Sequence, residues 1–550
     1  MGFLEGFTEE PLIYDKITTY IEKNIDEIQE SVSQDENFLY FRSGENIKVF
    51  DRICDHAGGK LLLKGRTAIC PLHGWELDVS KGSYINSGCL KKPILELNEY
   101  ELDSPLVLIP KTTESLCGKK FLTENQTEIR FLNHACLRFT LGDISFASDP
   151  WLIGSAFSNG WWLSRGSPKD AFDQVNSCNF LYISHNHPDH LHPETLEYIR
   201  KDIPIVTAGF ESGSTERLLS ELGFNNITSM DFVSALCNKD KEIYLSVLKS
   251  GDFRDDSGLF IQHGKFSCLL TVDSNFLDFA RFPKVDILCS SFAGGASGFP
   301  LCFENYTDHE KKVVLTRNRG AIKATNAVNI RTTKTKYFLP YASFFTEAAP
   351  RDLSIKKNNR KNSIEDFKEI CSTHDAELIN VNNEQVFKFF GSKLISKEID
   401  PIKNSHLSNI NNYLEYDPEK VNAELVKKVL DYFQGCEFQD NLFVELMPTD
   451  DSFTKYRYSF QLDFKSRKYK IKNVTGNDKK GEQEALASGL RYLRIKVREA
   501  ELLNVINHGK PWEDLSIGFQ CRIYRNPNIY NSNFWFYFTN VYIGKFAAQG

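Results

Sequence analysis

Between residue 11 and about residue 33, apolar side chains recur at Leu12, Ile13, Ile17, Ile21, Ile25, Ile28 and Val32, a spacing that predicts an N-terminal helix. Beyond it the period shortens. Phe38-Leu39-Tyr40-Phe41 and Ile47-Lys48-Val49-Phe50, parted by Ser43-Gly44, read as strands joined by a turn. The same signature returns at residues 128–132, 137–141 and 144–146, with Gly142-Asp143 as a hairpin turn. From there to about residue 395 strand and helix patterns alternate, which predicts an α/β region. Residues 396–412, polar and rich in Asn and Ser, read as a linker. After it come an amphipathic helix over 419–433, strands at 456–464 and 469–471, a helix over 481–507 and a closing aromatic strand at 534–538. The chain is thus expected to be multidomain α+β, divided at 1–115, 116–395 and 396–550.

Composition narrows the setting. At 550 residues the chain is too long for one core, and about 150 residues per domain gives three or four. A hydrophobic content of 41% with 25% charged residues is that of an ordinary globular protein. The formal charge of -7 argues against nucleic acid as a partner. No run approaches the roughly 18 apolar residues of a membrane span. Met1-Gly2-Phe3-Leu4-Glu5 lacks the basic start of a secretory leader. Thirteen cysteines without a dense framework suit a reducing cytoplasm.

Two of those cysteines carry chemistry. Cys54-Asp55-His56 and Cys70-Pro71-Leu72-His73 each pair a thiolate with an imidazole. That is the ligand set of a Rieske [2Fe-2S] cluster, with two cysteines on one iron and two histidines on the other. Ala57-Gly58-Gly59 and Gly74-Trp75 flank the pairs, and glycine lets backbone amides approach the sulfurs. A structural Cys2His2 zinc site is the rival, but zinc fingers usually pair Cys with Cys and His with His. The N-terminal region therefore reads as a Rieske β-domain that moves single electrons.

A second constellation follows the apolar run Asn179-Phe180-Leu181-Tyr182-Ile183. Ser184-His185-Asn186-His187-Pro188-Asp189-His190 places four donors within six residues at the end of a buried strand. On a tight loop His185 and His187 converge on one ion, leaving Asp189 and His190 to face a second ion or the reaction. His192 reads as solvated or helix-capping, and His134 as a buried structural histidine near the metals.

The histidine loop resembles the metallo-β-lactamase fold, an αββα sandwich. Three further stretches resemble the cytidine monophosphate-N-acetylneuraminate hydroxylase family: Asp149-Pro150-Trp151-Leu152-Ile153-Gly154, Gly160-Trp161-Trp162, and Phe292-Ala293-Gly294-Gly295-Ala296-Ser297-Gly298-Phe299-Pro300. The likeness runs from about Asn37 to Arg351, and residues after about 400 show little that matches. It implies a Rieske domain followed by a lactamase-like domain, and insertion of one oxygen atom into the N-acetyl group of a nucleotide-linked sugar. It also implies Asp273 as a bridging carboxylate. The fold's intermediate histidine falls on Asp252, and its final histidine on Ala349, so this chain departs from the usual ligand set twice.

Two imidazoles with a carboxylate, His185 and His187 with Asp252 or Asp273, match the donor set of non-haem Fe(II) oxygenases. The expected cofactors are accordingly a [2Fe-2S] cluster and non-haem iron, mononuclear or di-iron, fed by a ferredoxin, cytochrome b5 or reductase through His56 and His73. Asp189 and Asp273 are the expected catalytic acids. For substrate, Trp161 and Trp162 either line a pocket or pack in a core, while Gly295 and Ser297 either approach a phosphate or form a turn. Lys311, Lys312, Arg317 and Arg319 read as a solvated helix face. The substrate is CMP-N-acetylneuraminate or another amide- or amine-bearing compound. Two other classes stay open: a metallo-hydrolase with a redox-sensing Rieske domain, and an electron-transfer scaffold without chemistry of its own.

Overall fold

The isoleucines that predict a helix lie on a strand. Ile13, Ile17 and Ile21 stand four apart, which is one helical turn but also twice the strand period. β-branched Ile and Thr favour extended backbone, and a partner of equal length is at hand. Ile13–Asn24 pairs antiparallel with Leu106–Cys117 through twelve positions. The 3-10 turn Ile25–Glu27 and the strand Ser31–Gln34 take up the rest of the expected helix. The computed structural model describes residues 4–55, 61–69, 75–86, 89–98, 105–232, 234–250, 254–274, 277, 282–414, 423–473 and 480–543.

That ribbon leads into a module of two four-stranded sheets. One has the order Leu95–Leu97, Asn46–Asp51, Phe38–Ser43, Ser31–Gln34, and the other Leu62–Lys64, Thr67–Ile69, Glu76–Asp78, Ser83–Tyr84. The strand Phe38–Ser43 is buried on both sides. Leu39 packs with Phe50, Leu61 and Leu77, whereas Phe38 and Tyr40 pack with Ile47, Val49 and Ile109.

Residues 126–398, with the strand Thr8–Pro11, form two eight-stranded sheets packed face to face. In the first, Ile144–Ser148, Phe180–Ile183, Ile205–Ala208 and Ile227–Met230 run parallel, flanked by antiparallel Cys136–Leu141 and Gln126–Asn133. In the second, Phe266–Leu270, Ile287–Ser291 and Tyr337–Tyr341 run parallel beside antiparallel Ser257–His263 and Ile243–Lys249. The inner faces share one core through Phe131, Phe139, Tyr182, Leu245, Val247 and Leu269. Leu181, Ile183 and Ile205 on the outer face of the first sheet pack against Val175, Leu196 and Leu219 of three short helices. The helix Asp308–Thr333 covers the second sheet, where Asn326 Nδ2 donates to the Ser291 carbonyl. This is the expected αββα sandwich. The first strand of the chain, Thr8–Pro11, closes its edge by pairing with Ser234–Asn238.

The expected linker is docked rather than free. Its first residues belong to the strand Lys393–Glu398, and Asp400 with Asp170 grips the Arg130 guanidinium. Ser405 N–H donates to the Ser167 carbonyl, and Gly154 N–H to the Ser408 hydroxyl.

Beyond it lies a five-stranded sheet of order Lys468–Asn473, Tyr458–Asp463, Leu442–Thr449, Arg491–Arg498, Cys521–Asn526. The helix expected over 481–507 is interrupted. Leu493, Ile495 and Val497 alternate into the core on a central strand between the helices Lys480–Ala487 and Glu499–Asn507. The aromatic run 534–538 is helical, Ser532–Phe536 continuing as a π turn through Tyr537–Val541. Phe534 and Phe538, four apart, face Trp512, Phe438 and Phe464, so burial on one helical stripe overrides aromatic strand preference.

The two larger modules share a core. Trp161 stacks on Phe345 at 3.5 Å between ring centroids, and its Nε1 donates to the Ile517 carbonyl. Arg498 Nη1 meets Asp352 Oδ1 at 3.0 Å, and Arg351 Nη2 meets Glu501 Oε1 at 2.9 Å, with Arg498, Asp352 and Glu501 buried. Trp161→Ala is expected to cost about 3–5 kcal/mol in denaturant unfolding. Unchanged stability would show that the indole is not part of this joint.

Candidate metal centres

The register of the N-terminal sheet fixes where its ligand segments attach. Leu62 lies opposite Ile69, and Ile69 opposite Glu76, so the chain leaves and re-enters the sheet at one end for both Cys-His pairs. Cys54 is buried, and Asp55 N–H donates to the Tyr84 hydroxyl at 3.1 Å. The buried Lys91 ammonium ties this approach together, bonding Asp51 Oδ1 at 2.8 Å, Asp55 Oδ1 at 3.2 Å and the Ile53 carbonyl at 2.7 Å. His56, Cys70 and His73 lie outside the described residues, as does Asp252.

The second centre sits at the carboxyl ends of parallel strands, where an open α/β sheet leaves loops free to converge. Asp149 follows Ile144–Ser148, the histidine loop follows Phe180–Ile183, and Asp273 comes three residues after Phe266–Leu270. Antiparallel pairing of Leu259 with Leu270 brings the start of the strand Ser257–His263 to the same end, and with it Asp256. Asp149 adopts a left-handed φ of +36°, rare for a residue other than glycine and a sign of strain accepted for position.

One carboxylate orients two imidazoles. Asp149 Oδ1 accepts from Ser184 N–H at 2.8 Å, and Oδ2 from Ser184 Oγ at 2.7 Å and His190 Nδ1 at 3.0 Å. Ser184 Oγ in turn meets His185 Nδ1 at 2.9 Å. With their Nδ1 atoms engaged, His185 and His190 present Nε2 inward, the second-sphere arrangement that metal-binding histidines require.

Three sets of donors then fall within metal-binding reach, each within 4.8 Å: His185, His187 and Asp256; His185, His190 and Asp273; His134, Asp189 and His190. His185 Nε2 lies 3.0 Å from His187 Nδ1 and 3.8 Å from Asp256 Oδ1. His190 Nε2 lies 3.4 Å from Asp189 Oδ2 and 3.5 Å from Asp273 Oδ2. His134 Nε2 reaches Asp189 Oδ2 at 3.2 Å. The donor set fits a cation. His190 Nε2, Asp189 Oδ1 and His134 Nδ1 are buried and make no hydrogen bond among the described residues. Burial alone would lower the His190 pKa, but Asp189, Asp273 and Asp149 together push it well above its usual value. Burial and the charges of His190 and His187 hold His185 well below. Such a field favours positive charge at the centre.

All four donors of the histidine loop, with Asp273, are thus brought together. Asp256, four residues after the expected Asp252, is the described carboxylate that joins His185 and His187. His134, read as structural, is close enough to be a donor. His192 caps the helix Pro193–Glu197 by accepting Thr195 N–H, but is buried rather than solvated. Ala349 is buried at the start of the turn Pro350–Asp352. Trp161 and Trp162 are both packed, the second with Nε1 on the Asn159 carbonyl and its ring against Tyr413. Gly295 takes φ +72°, and an added Cβ would lie 2.4 Å from Asn359 Oδ1, so a tight turn accounts for it. Ser297 is exposed, its hydroxyl on the Phe299 carbonyl.

The C-terminal region reaches the same loop. Glu513 Oε2 lies 3.5 Å from His187 Nε2, and Asn186 Nδ2 donates to Asn540 Oδ1 at 3.0 Å. Sequence reasoning missed these residues, which carry no local signal of their partners.

Residues 20–101 match the family described as the Rieske [2Fe-2S] domain. The chain is 28% identical to the cytidine monophosphate-N-acetylneuraminic acid hydroxylase of Mus musculus, over 91% of this chain and 90% of that protein. It is 28% identical to the hydroxylase of the same name from Pan troglodytes, over 98% and 95%. The likeness therefore continues through the C-terminal region, where the sequence analysis matched nothing. Among solved structures, CmlA, a diiron beta-hydroxylase from Streptomyces venezuelae, superposes with a TM-score of 0.28 at 17% identity, covering 54% of this chain and 60% of that one. The chain is thus similar to these hydroxylases over nearly its whole length, and it carries a Rieske domain over residues 20–101.

Asp149→Asn keeps the size of the side chain and removes its charge. It is expected to weaken metal binding by about 10–100-fold, measured by chelator competition; unchanged affinity would show that Asp149 does not set the histidine tautomers.

Proposed function

We propose that this chain is an iron-dependent monooxygenase that receives electrons through its Rieske cluster and hydroxylates a nucleotide-linked N-acetyl sugar. One observation carries the reading: a buried set of two histidines and a carboxylate, His185 Nε2, His187 Nδ1 and Asp256 Oδ1, stands in a chain that also has a Rieske domain. That donor set is the one non-haem iron oxygenases use, and a redox-silent hydrolase has no call for an electron-transfer cluster.

His185, His187 and Asp256 would hold one iron, with Asp252 on the same loop as a further candidate. The absence of a histidine at 349 does not strip the second position, because Asp189, His190 and Asp273 remain with His134 beside them, and we favour two ions over one. When bound, iron supplies one-electron redox chemistry and the activation of O2. The protein's own part is to fix the donors and keep water out. Asp149 and Ser184 hold the proton on His185 Nδ1 and His190 Nδ1, so the Nε2 lone pairs stay directed inward. Asp189 sits between two imidazoles, His134 and His190, and keeps both aligned. The aromatic wall of Phe157 and Trp161 closes the side next to His187.

For electrons, Cys54, His56, Cys70 and His73 would hold the cluster, and a ferredoxin, cytochrome b5 or reductase would be the donor. For substrate, Ser297 is exposed and so open to a ligand, whereas Trp161 is committed to packing. The relatives' name points to CMP-N-acetylneuraminate as the first compound to try. No described helix is long and apolar enough to cross a membrane, and we place the protein in the reducing cytoplasm, where thirteen cysteines stay as thiols.

Purified protein is expected to contain iron beyond the cluster's two atoms and to show a Rieske-type electron paramagnetic resonance signal on reduction. With O2, an electron donor and CMP-N-acetylneuraminate it should yield a product one oxygen atom heavier. Zinc in the histidine site with hydrolytic activity would sink the reading.

A further inference from the structure

His187 differs from the other two loop histidines in where its second nitrogen goes. Asp149 serves His185 through Ser184 and His190 directly, and it belongs to the same sandwich as they do. His187 turns Nδ1 toward His185 Nε2 at 3.0 Å, so its metal-directed atom is Nδ1 and its Nε2 points outward. What meets Nε2 is Glu513, 3.5 Å away, at the start of the helix Glu513–Ile517 in the C-terminal module.

Glu513 is held firmly. Its Oε1 accepts from the Tyr530 hydroxyl at 3.1 Å, and its backbone N–H donates to Thr539 Oγ1 at 3.2 Å. The surrounding joint is close. Asn186, between the two histidines, donates to Asn540 Oδ1, and Arg217 Nη2 donates to the Asn540 carbonyl at 2.7 Å. Backbone approaches backbone at Gly160, where an added Cβ would lie 2.2 Å from the Gly518 oxygen. Phe157 packs edge-on to His187 at 5.7 Å.

We propose that Glu513 is a positioning residue for the iron site: it accepts the Nε2 proton of His187 and so fixes the ring with Nδ1 toward the metal. The C-terminal module is then part of the metal site and not an appendage to it. This rests on the oxygenase reading only for the identity of the metal. Since the module orients a ligand, metal binding and docking of the module stabilise each other by the same free energy.

The test uses full-length protein with its cluster in place, stripped of metal at the histidine site and titrated with cobalt(II), whose visible d–d bands report the ligand sphere. Glu513→Gln keeps the volume and removes the charge, and is expected to bind cobalt about 10–100-fold more weakly with altered bands. Glu513→Asp should recover part of the loss. Tyr530→Phe, which removes the hydrogen bond to the far oxygen of Glu513, should weaken binding by a smaller factor and keep the fold. Wild-type affinity and bands in both Glu513→Gln and Tyr530→Phe would overturn the proposal. A wild type that binds cobalt but is isolated without iron would overturn the oxygenase reading and leave the Glu513 comparison standing.

Discussion

Three carboxylates, Asp149, Asp189 and Asp256, are buried together with four imidazoles, and such a group is tolerable only with positive charge among its members. The strand ends, the strained backbone at Asp149 and the close seating of the C-terminal module all serve to hold that group in place. Asp189, Asp273 and Asp149 around the buried His190 push its pKa well above the usual range, against the effect of burial. Two sheets and a shared aromatic core surround the group.

Much of this was legible beforehand. The loop from Ser184 to His190 stands out because four donors in six residues follow an apolar strand, and its residues do converge. Strands such as Phe38–Ser43 and Gln126–Asn133 announced themselves through β-branched and aromatic alternation. What failed was arithmetic where two periods coincide. Isoleucines four apart suit either element, and only the long partner Leu106–Cys117 decides for a strand. At 491–498 the converse occurred: Leu493, Ile495 and Val497 alternate, but good helix formers on either side masked them.

The metal site was less completely readable, for a different reason. Counting along the sequence singles out Asp252, which lies outside the described residues, whereas the pairing of Leu259 with Leu270 brings Asp256, four residues on, to the histidines. His134 and Glu513 have no motif at all. Their relevance is created by tertiary proximity, His134 from the turn after the strand Gln126–Asn133 and Glu513 from the far end of the chain.

The pairing of Thr8–Pro11 with Ser234–Asn238 has a temporal side. Thr8 has its backbone partner at Cys237, 229 residues along the chain, and pairings of such long range are slow to close. Between the edge strand and the rest of the sandwich in the chain lies the whole cluster-bearing module. It is in effect an insertion whose own strands pair locally, so its contacts are of the kind that form quickly, whereas the edge strand joins it to the sandwich through a contact of the slow, long-range kind.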